Sequence, residues 1–196
     1  MRPEILLLGD SIRMQYQPLV RESLGASAQL WGPQENCETS RRLLSQLPRL
    51  LAGHDPAIIH VNAGLHDIRY EPGASAPQVG PQEYASNLEA MFELLKETGA
   101  RVIWATTTPI DERLHQRNKA SRRYAADIEG YNAASRNLAA KHGVAVNDLC
   151  EAISTAGARD YLLEDGLHFN HRGYQILADR VTTAIRAAMK AVPAVR

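Results

Sequence analysis

Two short runs carry the residue types of nucleophilic catalysis. The first is Gly9-Asp10-Ser11-Ile12, which follows the apolar run Ile5-Leu6-Leu7-Leu8. A serine where a strand stops and a helix begins lies beside unpaired backbone N–H groups and the positive end of the helix dipole. Such groups can stabilise the oxyanion formed when the Ser11 hydroxyl attacks a carbonyl. Read alone, the run serves equally as a helix cap built on Asp10 or Ser11. The second run is Asp165-Gly166-Leu167-His168, followed by Phe169-Asn170-His171-Arg172-Gly173-Tyr174. A serine needs a base to become a nucleophile, and the base needs an orienting carboxylate. Asp165 and His168 on one loop can hydrogen-bond while the other ring nitrogen points outward. Read alone, this run is a surface turn with an incidental histidine.

Other chemistries find less support. The G-x-S-x-G nucleophile signal fails at its fifth position in both Gly25-Ala26-Ser27-Ala28-Gln29 and Gly73-Ala74-Ser75-Ala76-Pro77, and no glycine-rich phosphate loop occurs. His168 and His171 are three apart but lack a carboxylate-rich partner cluster, and Cys37 and Cys150 lack zinc-site spacing, so neither a metal nor any other cofactor is expected. Asp111 to Arg123 holds Arg113, Arg117, Lys119, Arg122 and Arg123. It reads as a solvated loop and helix start, or as a basic rim that attracts anionic substrates. Arg69 to Gln82, rich in Pro, Gly, Ala and Ser, reads as another rim loop.

The elements that must position these residues alternate. Apolar runs at Ile5–Leu8, Ala28–Trp31, Ala57–Val61, Arg101–Ala105 and Val144–Val146 are each closed by turn residues. They fit strands buried on both faces. Helical patterns lie between them at Gln15–Leu24, Thr39–Leu51, Pro81–Thr98, Tyr124–His142 and Gly173–Ala191. Gly99 and Gly143 stand where C-caps belong. The alternation predicts an α/β fold, a flavodoxin-like three-layer α/β/α sandwich with a five-stranded parallel sheet in the order 2-1-3-4-5. In such sheets ligands bind beyond the carboxyl ends of the strands, at the topological switch point. Ser11 lies at one strand end, and the loop before the last helix can pass over it.

The whole chain, residues 1–196, is read as a single domain without repeats or linkers. Twenty-two basic residues balance twenty-two acidic ones, which argues against a protein that grips nucleic acid or an anionic membrane. No segment reaches the ~20 apolar residues of a membrane span. The N-terminal apolar run is too short for a signal-peptide core. With only two cysteines, a reducing, cytoplasmic setting is expected.

Taken together, Gly9-Asp10-Ser11 and Asp165-Gly166-Leu167-His168 with Gly173-Tyr174 resemble the SGNH hydrolases of the GDSL esterase and lipase superfamily, over residues 5 to 186. The resemblance implies Ser11 as nucleophile, His168 as general base and acid, and Asp165 as orienter. It further implies oxyanion donors from the Ser11 N–H, a glycine N–H after the second strand and an asparagine amide after the third. Here the pattern departs. Aligned on Thr39-Ser40, the family's glycine falls on Cys37, whose backbone N–H can still donate, with the Asn36 amide adjacent. The third block reads Asn62-Ala63-Gly64-Leu65-His66-Asp67, with His66 where the family places asparagine. Asn62 or His66 is therefore expected to complete the site. The implied reaction is hydrolysis of a carboxylic ester. Few aromatics, 6%, and no long apolar lid favour a short acyl group such as acetyl on a carbohydrate. The alternatives are a lysophospholipase, thioesterase or acyltransferase on the same fold, or a non-catalytic binding domain. A phospho-acceptor domain would need an acidic cluster near Asp10 and a lysine after the fifth strand, where Asn147-Asp148-Leu149 stands.

Overall fold

The computed structural model of the chain describes residues 2–190. In chain order the elements are β1 (Glu4–Leu8), α1 (Ser11–Leu24), β2 (Gln29–Trp31), α2 (Ser40–Leu51), β3 (Ile58–Val61), α3 (Pro81–Glu97) and β4 (Arg101–Ala105). They continue with α4 (Glu112–Asn118), α5 (Ala125–His142), β5 (Ala145–Asn147), α6 (Leu149–Thr155) and α7 (His171–Lys190). The five strands form one parallel sheet in the order β2-β1-β3-β4-β5. Helices α1 and α7 pack together, as do α2, α3 and α5. This is the three-layer α/β/α arrangement expected from the alternation.

The central strands read as continuous apolar runs because helices cover both faces. Ile5 to Leu8 and Ile58, Ile59 and Val61 are wholly buried. The exception is His60, also wholly buried, whose ring lies edge-on to Tyr16 with centroids 6.3 Å apart. The chain leaves β1 for β2 and returns past it to β3. The switch point thus lies between β1 and β3, and the loops carrying Ser11 and residues 62–67 open there.

Two helices escape the apolar pattern. α4 has no apolar stripe and starts on Asp111, whose side chain accepts from the Leu114 N–H at 2.9 Å. α6 starts on Asp148, which accepts from the Glu151 N–H at 3.0 Å. α1 begins at Ser11, four residues before the periodicity does, because Arg13 interrupts its buried stripe. Residue Ala191, the expected end of the last helix, lies outside the described residues.

Candidate active site

Asp10 is the N-cap of α1. One carboxylate oxygen accepts from the Ile12 N–H at 3.0 Å. Ser11 is therefore the first helical residue, and no partner within the described residues takes its N–H. The cap and the nucleophile positions are thus neighbours, so the two readings of this run are compatible.

The Ser11 hydroxyl lies 2.8 Å from Nε2 of His168, and Nδ1 of the same ring lies 2.6 Å from Oδ2 of Asp165. The other carboxylate oxygen of Asp165 accepts from the N–H groups of Leu167 and His168, each at 3.0 Å. Burial pushes the Asp165 carboxyl up, but the bonds from the His168 ring and these two N–H groups outweigh it and hold it at about 2. An ionised Asp165 places the ring proton on Nδ1 and leaves Nε2 to accept from the serine.

The next block lies across the strand ends. Gly9, at φ +150°, leaves room for Asn62. A Cβ there would stand 2.0 Å from Asn62 Oδ1, so only glycine permits this approach. Asn62 Nδ2 makes no hydrogen bond within the described residues. The Ala63 carbonyl accepts from Tyr84 (3.1 Å) and Thr107 (3.2 Å), which fixes the loop. Asp67 holds the start of α2 through the Ser40 N–H (2.9 and 3.0 Å) and hydroxyl (2.5 Å). Burial pushes its carboxyl up to about 6, against these bonds.

The structure corrects the expectation for Cys37. Its N–H donates to the Gly9 carbonyl at 3.2 Å, so it is committed to the scaffold rather than turned to the site. The Cys37 thiol is buried, and burial pushes it up, which leaves it a poor nucleophile. Asn36 is oriented by its Oδ1, which accepts from the Glu38 N–H at 2.8 Å, and its Nδ2 then faces Nε2 of His66 at 3.4 Å. That contact makes Nε2 of His66 an acceptor and places its proton on Nδ1. Burial, with Arg123 and Arg69 nearby, lowers the His66 pKa although Asp10 opposes this.

Two arginines not expected to structure the site prove central. Arg13 is buried, and its guanidinium donates to Gln17 Oε1 (3.0 Å) and to the carbonyls of Pro33 (2.6 Å), Gly9 (3.1 Å) and Glu35 (2.8 Å). It ties the loop after β2 to the Ser11 turn. The readable signal was a cation and an amide at i and i+4, in phase with buried Ile12, Tyr16 and Val20. Arg123, expected on a solvated loop or a basic rim, is 5% exposed and donates to the Leu65 carbonyl at 2.6 Å. Burial, then Arg69, lowers it to about 10. The flanking segment pairs with the loop after β3: Tyr70 and Arg122 exchange backbone hydrogen bonds at 2.9 Å.

A parallel α/β sheet carrying a serine, a histidine and an aspartate in hydrogen-bonded sequence at its carboxyl end is a hydrolase architecture. The chain belongs to the GDSL-like lipase/acylhydrolase family, whose model matches residues 7–176. It is a serine ester hydrolase of that class. Among solved structures, a lipase/acylhydrolase from Enterococcus faecalis is similar at 22% identity and a TM-score of 0.80, covering 95% of this chain and 96% of that one. An acetyl xylan esterase is similar at 19% identity and a TM-score of 0.76, covering 93% of this chain and 99% of that one. A variant of an acetyl-xylooligosaccharide esterase from Geobacillus is similar at 16% identity and a TM-score of 0.75, covering 94% and 96%. At these identities the likeness carries the fold. No curated protein sequence matches.

Proposed function

We propose that the protein hydrolyses short-chain carboxylic esters, acetyl groups on a carbohydrate above all, through Ser11, His168 and Asp165. The observation that carries the reading is the pair of contacts at 2.8 and 2.6 Å that joins serine to imidazole and imidazole to carboxylate. In the first half-reaction the Ser11 oxygen bonds to the acyl carbon while His168 Nε2 takes its proton. The tetrahedral intermediate then expels the alcohol, which leaves with that proton. In the second, water gives a proton to His168 and its oxygen attacks the acyl-serine. Collapse releases the acid and returns the proton to Ser11. Asp165 stays ionised throughout and stabilises the imidazolium.

The oxyanion is held by the free Ser11 N–H and the Asn62 amide, with Asn36 and His66 beside them. Asn62 is favoured over His66 because its Nδ2 has no partner, whereas His66 Nε2 faces an amide donor. No nucleic-acid or membrane partner is needed, and no helix among the described residues is long and apolar enough to cross a membrane. The free thiols of Cys37 and Cys150 support a reducing, cytoplasmic setting. The acetyl preference rests on the composition and on the likeness to two esterases of acetylated xylan and xylooligosaccharides.

The test is a series of aryl esters from acetyl to octanoyl, together with acetylated xylooligosaccharides, assayed on wild type and Ser11→Ala. The expected result is fastest turnover of acetyl and a loss of about 10⁴-fold or more in Ser11→Ala. A folded Ser11→Ala protein with half the activity refutes the mechanism. A preference for eight or more carbons refutes the short-acyl assignment and points to a lipid ester.

A further inference from the structure

The loop that carries Asp165 is gripped by α4 along its backbone. The carbonyls of Glu164, Asp165 and Gly166 each accept one hydrogen bond from this segment. Their donors are Asn118 Nδ2 (2.5 Å), His115 Nδ1 (3.0 Å) and the Asp111 N–H (2.9 Å). The donor of the middle bond is a buried side chain. His115 is 1% exposed, and its other ring nitrogen, Nε2, lies 3.1 Å from Nη1 of Arg123. A guanidinium can only donate. Nε2 of His115 is therefore an acceptor, its single proton sits on Nδ1, and that proton points at the Asp165 carbonyl. Arg123 thus fixes the tautomer that lets His115 hold the loop. The same guanidinium, through Nε, holds the Leu65 carbonyl in the loop after β3.

We propose that His115 and Arg123 form a positioning pair for ester hydrolysis. It fixes Asp165 against His168 and sets that acid–base loop at a constant distance from the loop that carries Asn62 and His66. The inference rests on reading Asp165 as the orienter of His168. Neither side chain needs to touch substrate. The bond from His115 goes to the Asp165 main chain, so it acts on where the carboxylate starts, while the Leu167 and His168 N–H groups act on how it turns. Arg123 makes the two loops share one rigid part. A bidentate fork spanning two loops cannot be reproduced by lysine, whose ammonium is a single point.

The experiment compares wild type, His115→Ala, His115→Asn, Arg123→Lys and Ser11→Ala on an aryl acetate. It reads kcat and KM separately and records the low-field proton resonance of the His168 Nδ1–H. Circular dichroism establishes that each variant is folded. A misplacement of about 1 Å costs about 10²-fold in rate, so His115→Ala should lose about 10²-fold in kcat with KM changed less than about twofold, and the resonance should shift or broaden. His115→Asn keeps a side-chain N–H near the Nδ1 position and should recover most of the loss. Arg123→Lys should fall between, because only one of its two acceptors is served. Wild-type kcat in folded His115→Ala overturns the proposal. So does equal impairment of His115→Ala and His115→Asn, which would assign the loss to packing alone. If His115→Ala does not fold, Arg123→Lys decides, and an unchanged kcat and resonance there overturns it. Activity surviving in Ser11→Ala overturns the triad instead, whatever His115 does. An inactive Ser11→Ala beside a fully active His115→Ala overturns only this inference.

Discussion

Gly166 offers a clean way to disturb the site without touching a reacting atom. It lies at φ +69°, and a Cβ built there would stand 2.5 Å from the Asp111 carbonyl oxygen and 2.7 Å from the His115 nitrogen. Both are backbone atoms in and beside the first turn of α4, so no flexible side chain can give way. Gly143 supplies the control. It sits at φ +66°, where a Cβ meets nothing within 4 Å. Alanine at either position pays the left-handed backbone cost of about 1–2 kcal/mol. Only at Gly166 must α4 and the loop also separate, by close to 1 Å if ordinary van der Waals contact is to be restored. That separation strains or breaks the Asp111 N–H bond to the Gly166 carbonyl and the His115 bond to the Asp165 carbonyl, at about 1 kcal/mol each. Gly143→Ala should therefore lower Tm by about 2–8 °C and leave kcat alone. Gly166→Ala should lose about 2–4 kcal/mol in urea denaturation and about 10²-fold in kcat, since a shift of that size spoils the Asp165–His168–Ser11 alignment. If the two variants lose the same stability and Gly166→Ala keeps wild-type kcat, α4 does not set the geometry of the site.

Three further predictions concern other parts of the molecule. Asn62→Ala should lower kcat by about 10²–10³-fold with little change in KM, and His66→Ala should cost clearly less; steady-state kinetics showing the reverse order would make His66 the oxyanion donor. Arg13→Met should destabilise by about 3 kcal/mol or more in urea titration, because it strands the buried Pro33 carbonyl and the half-buried Glu35 carbonyl and takes one donor each from Gln17 and the Gly9 carbonyl; a loss under about 1 kcal/mol would mean that water replaces the guanidinium there. The third follows from His60, wholly buried, which burial pushes down to about 3. The unfolded chain protonates this ring below pH ~6.5 and the folded chain does not, so stability falls as pH falls from about 6.5 towards 3, by about 1.4 kcal/mol per unit. Asp67, pushed up to about 6, works in the opposite sense between about 4 and 6, taking a proton in the fold before it would when unfolded. His60→Gln, which can still accept from Asn147, removes only the first effect. Its stability relative to wild type should improve by about 2 kcal/mol between pH 7.5 and pH 5. A constant difference across that range would refute a neutral buried His60.

How much was legible in the sequence follows from where each kind of information resides. The central strands β1, β3 and β4 could be read because a strand covered on both faces is an uninterrupted apolar run. The shorter, partly exposed edge strands β2 and β5 were marked by the turn residues that close them, and the sheet order by the β-α alternation. The meeting of Ser11, His168 and Asp165 in one hydrogen-bonded chain could be anticipated because side-chain chemistry is written in residue type. The direction of a backbone N–H is not. Whether Cys37 presents its N–H depends on the Gly9 carbonyl, which accepts it at 3.2 Å. α4 was invisible to periodicity because it packs through His115 and its backbone, with Leu114 its lone aliphatic residue. Arg123 was read as solvated because its neighbours Arg113, Arg117, Lys119 and Arg122 are basic, yet it alone turns inward to Leu65 and His115. Charge runs describe a surface on average, and one inward residue in such a run leaves no trace in composition.

Arg13 and Arg123 share a role that explains why cations are buried among the strand-end loops. Strand-end loops must keep an open, polar site, so they cannot be locked by the apolar packing that locks the sheet. Their backbone carbonyls must still be satisfied where they are buried. A guanidinium does both at once, with several planar donors that reach carbonyls on separate loops. Arg13 joins the Gly9 turn to residues 33 and 35, and Arg123 joins residue 65 to the His115 bond on residue 165. Between them they connect the loops after β1, β2 and β3 with the loop before α7. Each buried charge costs desolvation, as the lowered pKa of both groups records. That cost goes to joining the four loops, and in the sheet itself the only fully buried ionisable side chain among the described residues is His60, whose pKa burial pushes down.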